Sequence, residues 1–215
     1  MLSKNSLRLY AVTDRHCIGS RSFIEEIENA LKGGVTILQL REKDMSEQEL
    51  IDEAIIIKQI CSKYNVPLII NDNYSAALKS GADGVHVGIE DVPVAEIRRI
   101  CGNDFIIGAT AKTVEQAKKA ESEGADYLGV GAVFPSPTKK NAVRIDTRQL
   151  GEICASVAIP AVAIGGITHD NADKLIGSGI CGIAVVSSLF GADDVKNAAA
   201  SLAEKSRKIA SYGRI

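Results

Sequence analysis

Short apolar runs recur along the chain, each followed by a longer stretch in which apolar positions return every three or four residues. The runs near Leu7 to Thr13, Val35 to Leu40, Pro67 to Ile70, Gly84 to Val87, Phe105 to Gly108, Tyr127 to Ala132, Ala161 to Ile164 and Gly182 to Val186 predict eight strands. They are near-continuously apolar rather than alternating, the pattern of parallel strands covered on both faces. Between them, Ser22 with Glu25, Ser46 with Glu49 and Thr113 with Gln116 have the spacing of a capping box, in which two side chains satisfy orphan amides at a helix start. After Ser46, residues Leu50, Ala54, Ile57, Cys61 and Tyr64 share one helical face, while Glu53, Lys58 and Lys63 look outward.

Four stretches, "KGGVTIL", "SGADGVHV", "EGADYLGV" and "GSGICGIAV", repeat one helix-to-strand corner, with glycine ending the helix. Strand and helix alternating eight times predict an α/β fold, a closed (β/α)8 TIM barrel forming a single domain over residues 1–215. The doubly wound alternative lacks its fingerprint, because no GxGxxG follows the first strand.

Composition narrows the function more than the fold. With 25 basic and 27 acidic residues among 215, no global field draws nucleic acid or an anionic membrane, so any anion site must be local. The N-terminus lacks the apolar core of a signal peptide, and no window approaches the roughly 18 apolar residues of a membrane span, so a cytoplasmic protein is expected. Five scattered cysteines without a CxxC pair predict free, mostly buried thiols rather than a disulfide framework or a zinc site. Oligomeric state stays open, and a homo-oligomer is compatible with everything above.

In a barrel of this kind the chemistry sits at the C-terminal ends of the strands. Gln39, Arg41 and Lys43 alternate at the end of the second strand and would point into the barrel mouth, with Glu42 facing the helices. The third strand ends in Asn71 and Asp72, and the fourth leads to Asp91. Alone, either aspartate reads as a cap or turn residue; together they suit one hard cation such as magnesium, which takes one or two carboxylates and completes its shell with water and phosphate. After the fifth strand Thr110 offers a hydroxyl to an oxyanion. The sixth leads into "VFPSPTKKNAVR", where Ser136, Thr138, Lys139, Lys140 and Arg144 read as a lid over phosphate or as a solvated basic loop. Gly165 and Gly166 after the seventh strand, with Ser187 and Ser188 after the eighth, fit a backbone phosphate site. Magnesium with Arg41, Lys43 and Lys139 exceeds what a monophosphate needs and matches a diphosphate. The glycine side then takes a second, smaller phosphate, which implies two small-molecule substrates with diphosphate as leaving group. His86, between Val85 and Val87, reads as a packed, hydrogen-bonded histidine rather than a catalytic one.

The motifs "LYAVTD", "QLREKD", "IINDN", "GADGVHVGIED", "GADYLGVGAVFPSPTKK", "AIGGIT" and "GIAVVSSL", in this order over nearly the whole chain, resemble the thiamine-phosphate synthase family. The resemblance implies a magnesium-dependent (β/α)8 transferase that joins 4-amino-2-methyl-5-hydroxymethylpyrimidine diphosphate to thiazole phosphate and releases pyrophosphate. It implies that Gln39 contacts the pyrimidine, that Arg41, Lys43, Asn71 and Lys139 hold the diphosphate, and that Asp72 and Asp91 ligate magnesium. Thr110 stands where the family usually has serine, and Ser136 and Thr138 occupy the family's TxT positions near the thiazole. Gly166, Val186 and Ser187 would take the thiazole phosphate. The implied chemistry is dissociative, with Arg41, Lys43, Thr110 and Lys139 assisting catalysis by position and charge. Three residues depart from the family pattern: Ile89 for a frequent glutamine, Pro137 inside the TxT, and Lys112 for a frequent histidine. The competing branch on the same barrel, a thiazole tautomerase, typically loses the diphosphate and magnesium residues that are present here; a non-catalytic regulator on this barrel would bind thiazole phosphate without magnesium-dependent turnover.

Overall fold

The computed structural model describes residues 2–135 and 144–212. Eight parallel strands close into a barrel in sequence order: β1 Leu9–Val12, β2 Ile37–Leu40, β3 Leu68–Asn71, β4 Gly84–Val87, β5 Ile106–Ala111, β6 Tyr127–Gly131, β7 Ala161–Ile164 and β8 Gly182–Val185. The helices are α1 Arg15–Ile18, α2 Phe23–Lys32, α3 Glu47–Lys63, α4 Tyr74–Ser80, α5 Val94–Cys101, α6 Val114–Ser122, α7 Thr147–Ala155, α8 Ser187–Phe190 and α9 Val195–Ser211. β1 pairs with β8 through Leu9 opposite Ile183, which leaves no open sheet edge.

The apolar runs hide a strict alternation. Tyr10, Val12, Ile37, Ile69, Tyr127, Val162 and Ala184 point inward and fill the barrel, while Leu9, Ala11, Leu38, Leu40, Ile70, Val85 and Leu128 point outward against the helices. Both faces are apolar, so the alternation is invisible in a hydropathy pattern.

Three elements differ from the sequence expectation. The first strand begins at Leu9, because Lys4–Leu7 forms a 3-10 helix capped by the Ser3 hydroxyl, and Leu7 plugs the barrel interior. β5 continues to Ala111, since Thr110 and Ala111 find register partners in Gly129 and Val130 of β6. After β7 the chain makes only a 3-10 turn, Ala172–Leu175.

Capping follows the spacing rule at Ser46 and Glu49, where both reciprocal bonds form. Ser22 and Thr113 cap their helices singly, and the Gln116 carboxamide accepts from the Lys112 amide instead. A second full box, Asp146 with Gln149, starts α7. The predicted face of α3 is buried at Leu50, Ala54, Ile57 and Cys61.

The repeated corner has a polar latch as well as a glycine turn. Gly34, Gly81 and Gly124 in the first three repeats, and Gly177 and Gly179 in the fourth, have positive φ. Asp83 donates its amide to the Leu68 carbonyl and accepts the Leu68 amide on its carboxylate at 2.7 Å, while Lys58 closes the pair at 2.6 Å. Asp126 does the same to Ile107, and Arg98 closes it at 2.7 Å. Only Cys61 of the five free cysteines is fully buried; the other four are partly exposed, fewer than composition suggested.

Candidate active site

A cavity of about 280 Å³ opens at the C-terminal ends of the strands. Gln39, Arg41 and Lys43 line it from β2, Asn71 and Asp72 from β3, Asp91 from the segment after β4, and Thr110 from β5; Gly166 lies past β7, and Val186 and Ser187 past β8. These sequence-predicted site residues thus reach one cavity. Ser136, Thr138, Lys139 and Lys140 lie outside the described residues, and Arg144 is exposed.

Local structure explains the placement. Past the end of β2, the Arg41 amide donates to the Thr13 hydroxyl at 2.9 Å, and the Thr13 amide donates to the Gln39 carbonyl, so the charged segment stays tied to the barrel. Glu42 turns the other way, as alternation requires, and pairs with Arg15 at 3.3 Å; Arg15 also reaches Glu53 on α3 and stacks on Phe23. Burial raises the Glu42 pKa, and the Arg15 guanidinium opposes that shift. Asp72 sits at φ 62°, in the left-handed region that aspartate tolerates better than most residues. Its Oδ2 accepts from Asn71 Nδ2 at 2.6 Å, and its amide donates to the His86 carbonyl. Asp91 Oδ2 accepts from the Gly88 amide at 2.6 Å.

The opposite wall is backbone and hydroxyl. Gly166 has φ 62°, and a Cβ there would lie 2.1 Å from the Pro135 carbonyl oxygen. Glycine at 166 therefore serves the approach of the neighbouring chain as much as that of a ligand. Asn171 Nδ2 donates to the Gly166 carbonyl at 2.8 Å and holds this turn. Arg21 donates to the carbonyls of Phe190 and Ala192, fixing α8 beside the cavity. The Ser188 hydroxyl is buried there, without a hydrogen-bond partner among the described residues.

Sequence reasoning gave no site role to three residues that line this cavity. Lys112 adds a cation to the wall past β5, where the resemblance had marked only a departure. Tyr10 and His86 lie on the cavity floor, and Tyr127 bonds to both. His86 is the packed, hydrogen-bonded histidine expected, yet its inward position brings it to the cavity. The alternation of strand side chains was the signal for all of them.

Among the described residues no group of three metal-ligating side chains forms. Asp72 and Asp91 are a two-carboxylate set, the set that fits magnesium when a substrate phosphate and water complete the shell.

A family model described as thiamine monophosphate synthase matches residues 9–189. The chain belongs to that family. Thiamine-phosphate synthase of Ruminiclostridium cellulolyticum is 48% identical over 95% of this chain and 97% of its own length. Thiamine-phosphate synthase 2 of Streptococcus pneumoniae is 46% identical over 91% of this chain and 93% of its own. The solved thiamine phosphate pyrophosphorylase of Pyrococcus furiosus superposes with a TM-score of 0.88 at 38% identity, covering 96% of this chain and 98% of that one. A 3-hexulose-6-phosphate synthase, at 15% identity and a TM-score of 0.67, shares the fold. Members of the thiamine monophosphate synthase family with these names are transferases, and so is this chain.

Proposed function

We propose that the protein joins 4-amino-2-methyl-5-hydroxymethylpyrimidine diphosphate to thiazole phosphate, giving thiamine phosphate and pyrophosphate, as one domain working in the cytoplasm. The observation that carries this is that one cavity is lined by two unlike walls, each suited to an anion. A cationic and carboxylate wall lies past β2 to β5, and a glycine and serine wall past β7 and β8. Five free thiols suit the reducing setting.

On this reading Arg41, Lys43 and Asn71 bind the diphosphate, joined by Lys139, and Gln39 orients the pyrimidine. Asp72 and Asp91 hold magnesium, which when bound supplies charge to the leaving diphosphate. The carbon–oxygen bond to the diphosphate breaks with its electron pair leaving on pyrophosphate, and the thiazole nitrogen's lone pair forms the new carbon–nitrogen bond. Thr110 donates to the departing group. The amides of Gly166, Val186 and Ser187, with the Ser187 hydroxyl, hold the thiazole phosphate, and Ser136 and Thr138 border the thiazole. No protein nucleophile is needed, so positioning and electrostatic stabilisation supply the acceleration.

The test is pyrophosphate release from purified protein, with each substrate alone and with both, in magnesium and then in excess chelator. Release is expected only with both substrates and metal. Folded protein that binds thiazole phosphate but releases nothing under any condition would instead be an isomerase or a regulator on this barrel.

A further inference from the structure

Five side chains from five strands form an unbroken hydrogen-bonded chain across the barrel floor. Gln39 Nε2 donates to the Tyr10 hydroxyl at 2.8 Å, and the Tyr10 and Tyr127 hydroxyls are 2.7 Å apart. The Tyr127 hydroxyl lies 3.1 Å from His86 Nδ1, and His86 Nε2 lies 3.1 Å from Thr110 Oγ1. Both tyrosines are buried, and that burial raises both phenol pKa values, so each keeps its single proton at neutral pH. The space is built for these rings: a Cβ at Gly108 would stand 2.2 Å from Tyr127 Cζ and 2.5 Å from His86 Nδ1, and one at Gly129 would stand 2.9 Å from His86 Cε1.

Counting protons along the chain sets its direction. Tyr10 receives the Gln39 amide hydrogen, so its own proton goes to Tyr127. Tyr127, already an acceptor, donates to His86 Nδ1. The neutral imidazole then carries its proton on Nε2 and gives it to Thr110. With its acceptor side engaged, the Thr110 hydroxyl has its proton left to offer to the cavity that it lines. We propose that Tyr10, Tyr127 and His86 are positioning residues, a one-way hydrogen-bond relay through which the Gln39 amide fixes the tautomer of His86 and makes Thr110 a donor toward bound substrate. The two ends of the relay are residues that the proposed function assigns to the pyrimidine diphosphate. The step from Thr110 to turnover rests on that reading, whereas the tautomer does not.

Nitrogen-15 correlation spectra of the free protein at pH 8 resolve the tautomer, with His16 and His169 as internal controls of folding. The native protein is expected to show His86 protonated on Nε2. Gln39→Glu replaces the donor at the head of the chain with an acceptor, reverses each bond and moves the proton to Nδ1. Tyr127→Phe removes the donor to Nδ1 without adding charge, and is expected to leave a mixture of tautomers. Native His86 protonated on Nδ1, or Nε2 protonation retained in both variants, would overturn the relay. In turnover, Tyr127→Phe is expected to lower kcat about tenfold, the worth of one hydrogen bond, leaving the KM for thiazole phosphate within about twofold. Added to Thr110→Ala, it is expected to cost nothing further. Full additivity of the two losses would show that Tyr127 does not act through Thr110. A protein that shows no synthase turnover at all would refute the proposed function while the tautomer spectra still decide the relay.

Discussion

Asp72 and Asp91 differ in how the chain holds them. Asp72 is set by its left-handed backbone and by Asn71, whereas Asp91 is aimed by one amide, that of Gly88. Asp91→Asn keeps that bond and removes one negative charge. The magnesium concentration for half-maximal pyrophosphate release is expected to rise about tenfold or more, with the KM for thiazole phosphate unchanged, in a metal titration of wild type and variant. A second residue-scale prediction concerns the thiols. Burial pushes Cys61 and Cys154 up to about 12. At pH 8 only about one in ten thousand of each is thiolate, so both should be the slow phase in a thiol titration with a disulfide reagent, and unfolding should abolish that phase. The residues at strand ends were legible in the sequence, because a carboxylate or guanidinium closing an apolar run stands out. The relay was not: Tyr10 and Tyr127 each read as one more apolar position, and a hydrogen bond between residues 117 apart leaves no local trace.

At the scale of elements, the corner repeat ties helices and strands together through a polar network. Arg98 gives its guanidinium to the carbonyls of Gly102, Phe105 and Gly124 as well as to Asp126, binding the end of α5 and the α6 to β6 corner in one network. Asp126→Ala leaves the Ile107 amide and part of Arg98 unpaired, and is expected to cost about 2–3 kcal/mol in urea denaturation. Arg98→Ala should cost more, since it strips three carbonyls as well. The double variant should fall short of the sum, because the two share one network. The glycines of this corner were legible as helix stops; the aspartate latch was spelled out in "GAD" twice, but its partners lie on neighbouring elements. The 3-10 helix at Lys4–Leu7 escaped notice for a related reason: Leu7 is buried as deeply as a strand residue, and burial rather than backbone shape is what hydropathy reports.

At the scale of the whole molecule, two apolar layers, one inside the barrel and one outside it, support a polar mouth. Stability and chemistry are therefore separable along the barrel axis. Ile37→Ala, in the inner layer and away from the cavity lining, is expected to lower stability by about 2–4 kcal/mol and leave kcat unchanged below the melting transition, when denaturation and turnover are measured on one preparation. The fold was legible almost entirely, since eight apolar runs in strand–helix alternation admit few arrangements. The sequential strand order also bears on how the protein is made. Six of the eight strand pairings join neighbours that are complete before β8 has been synthesised, and the Asp83 and Asp126 latches fasten two of those steps across short stretches of chain. The pairing of β1 with β8 comes last. A nascent chain leaving the ribosome thus carries a growing, locally stapled sheet with β1 as its one persistent bare edge, and the final strand completes the enzyme and protects that edge in a single step.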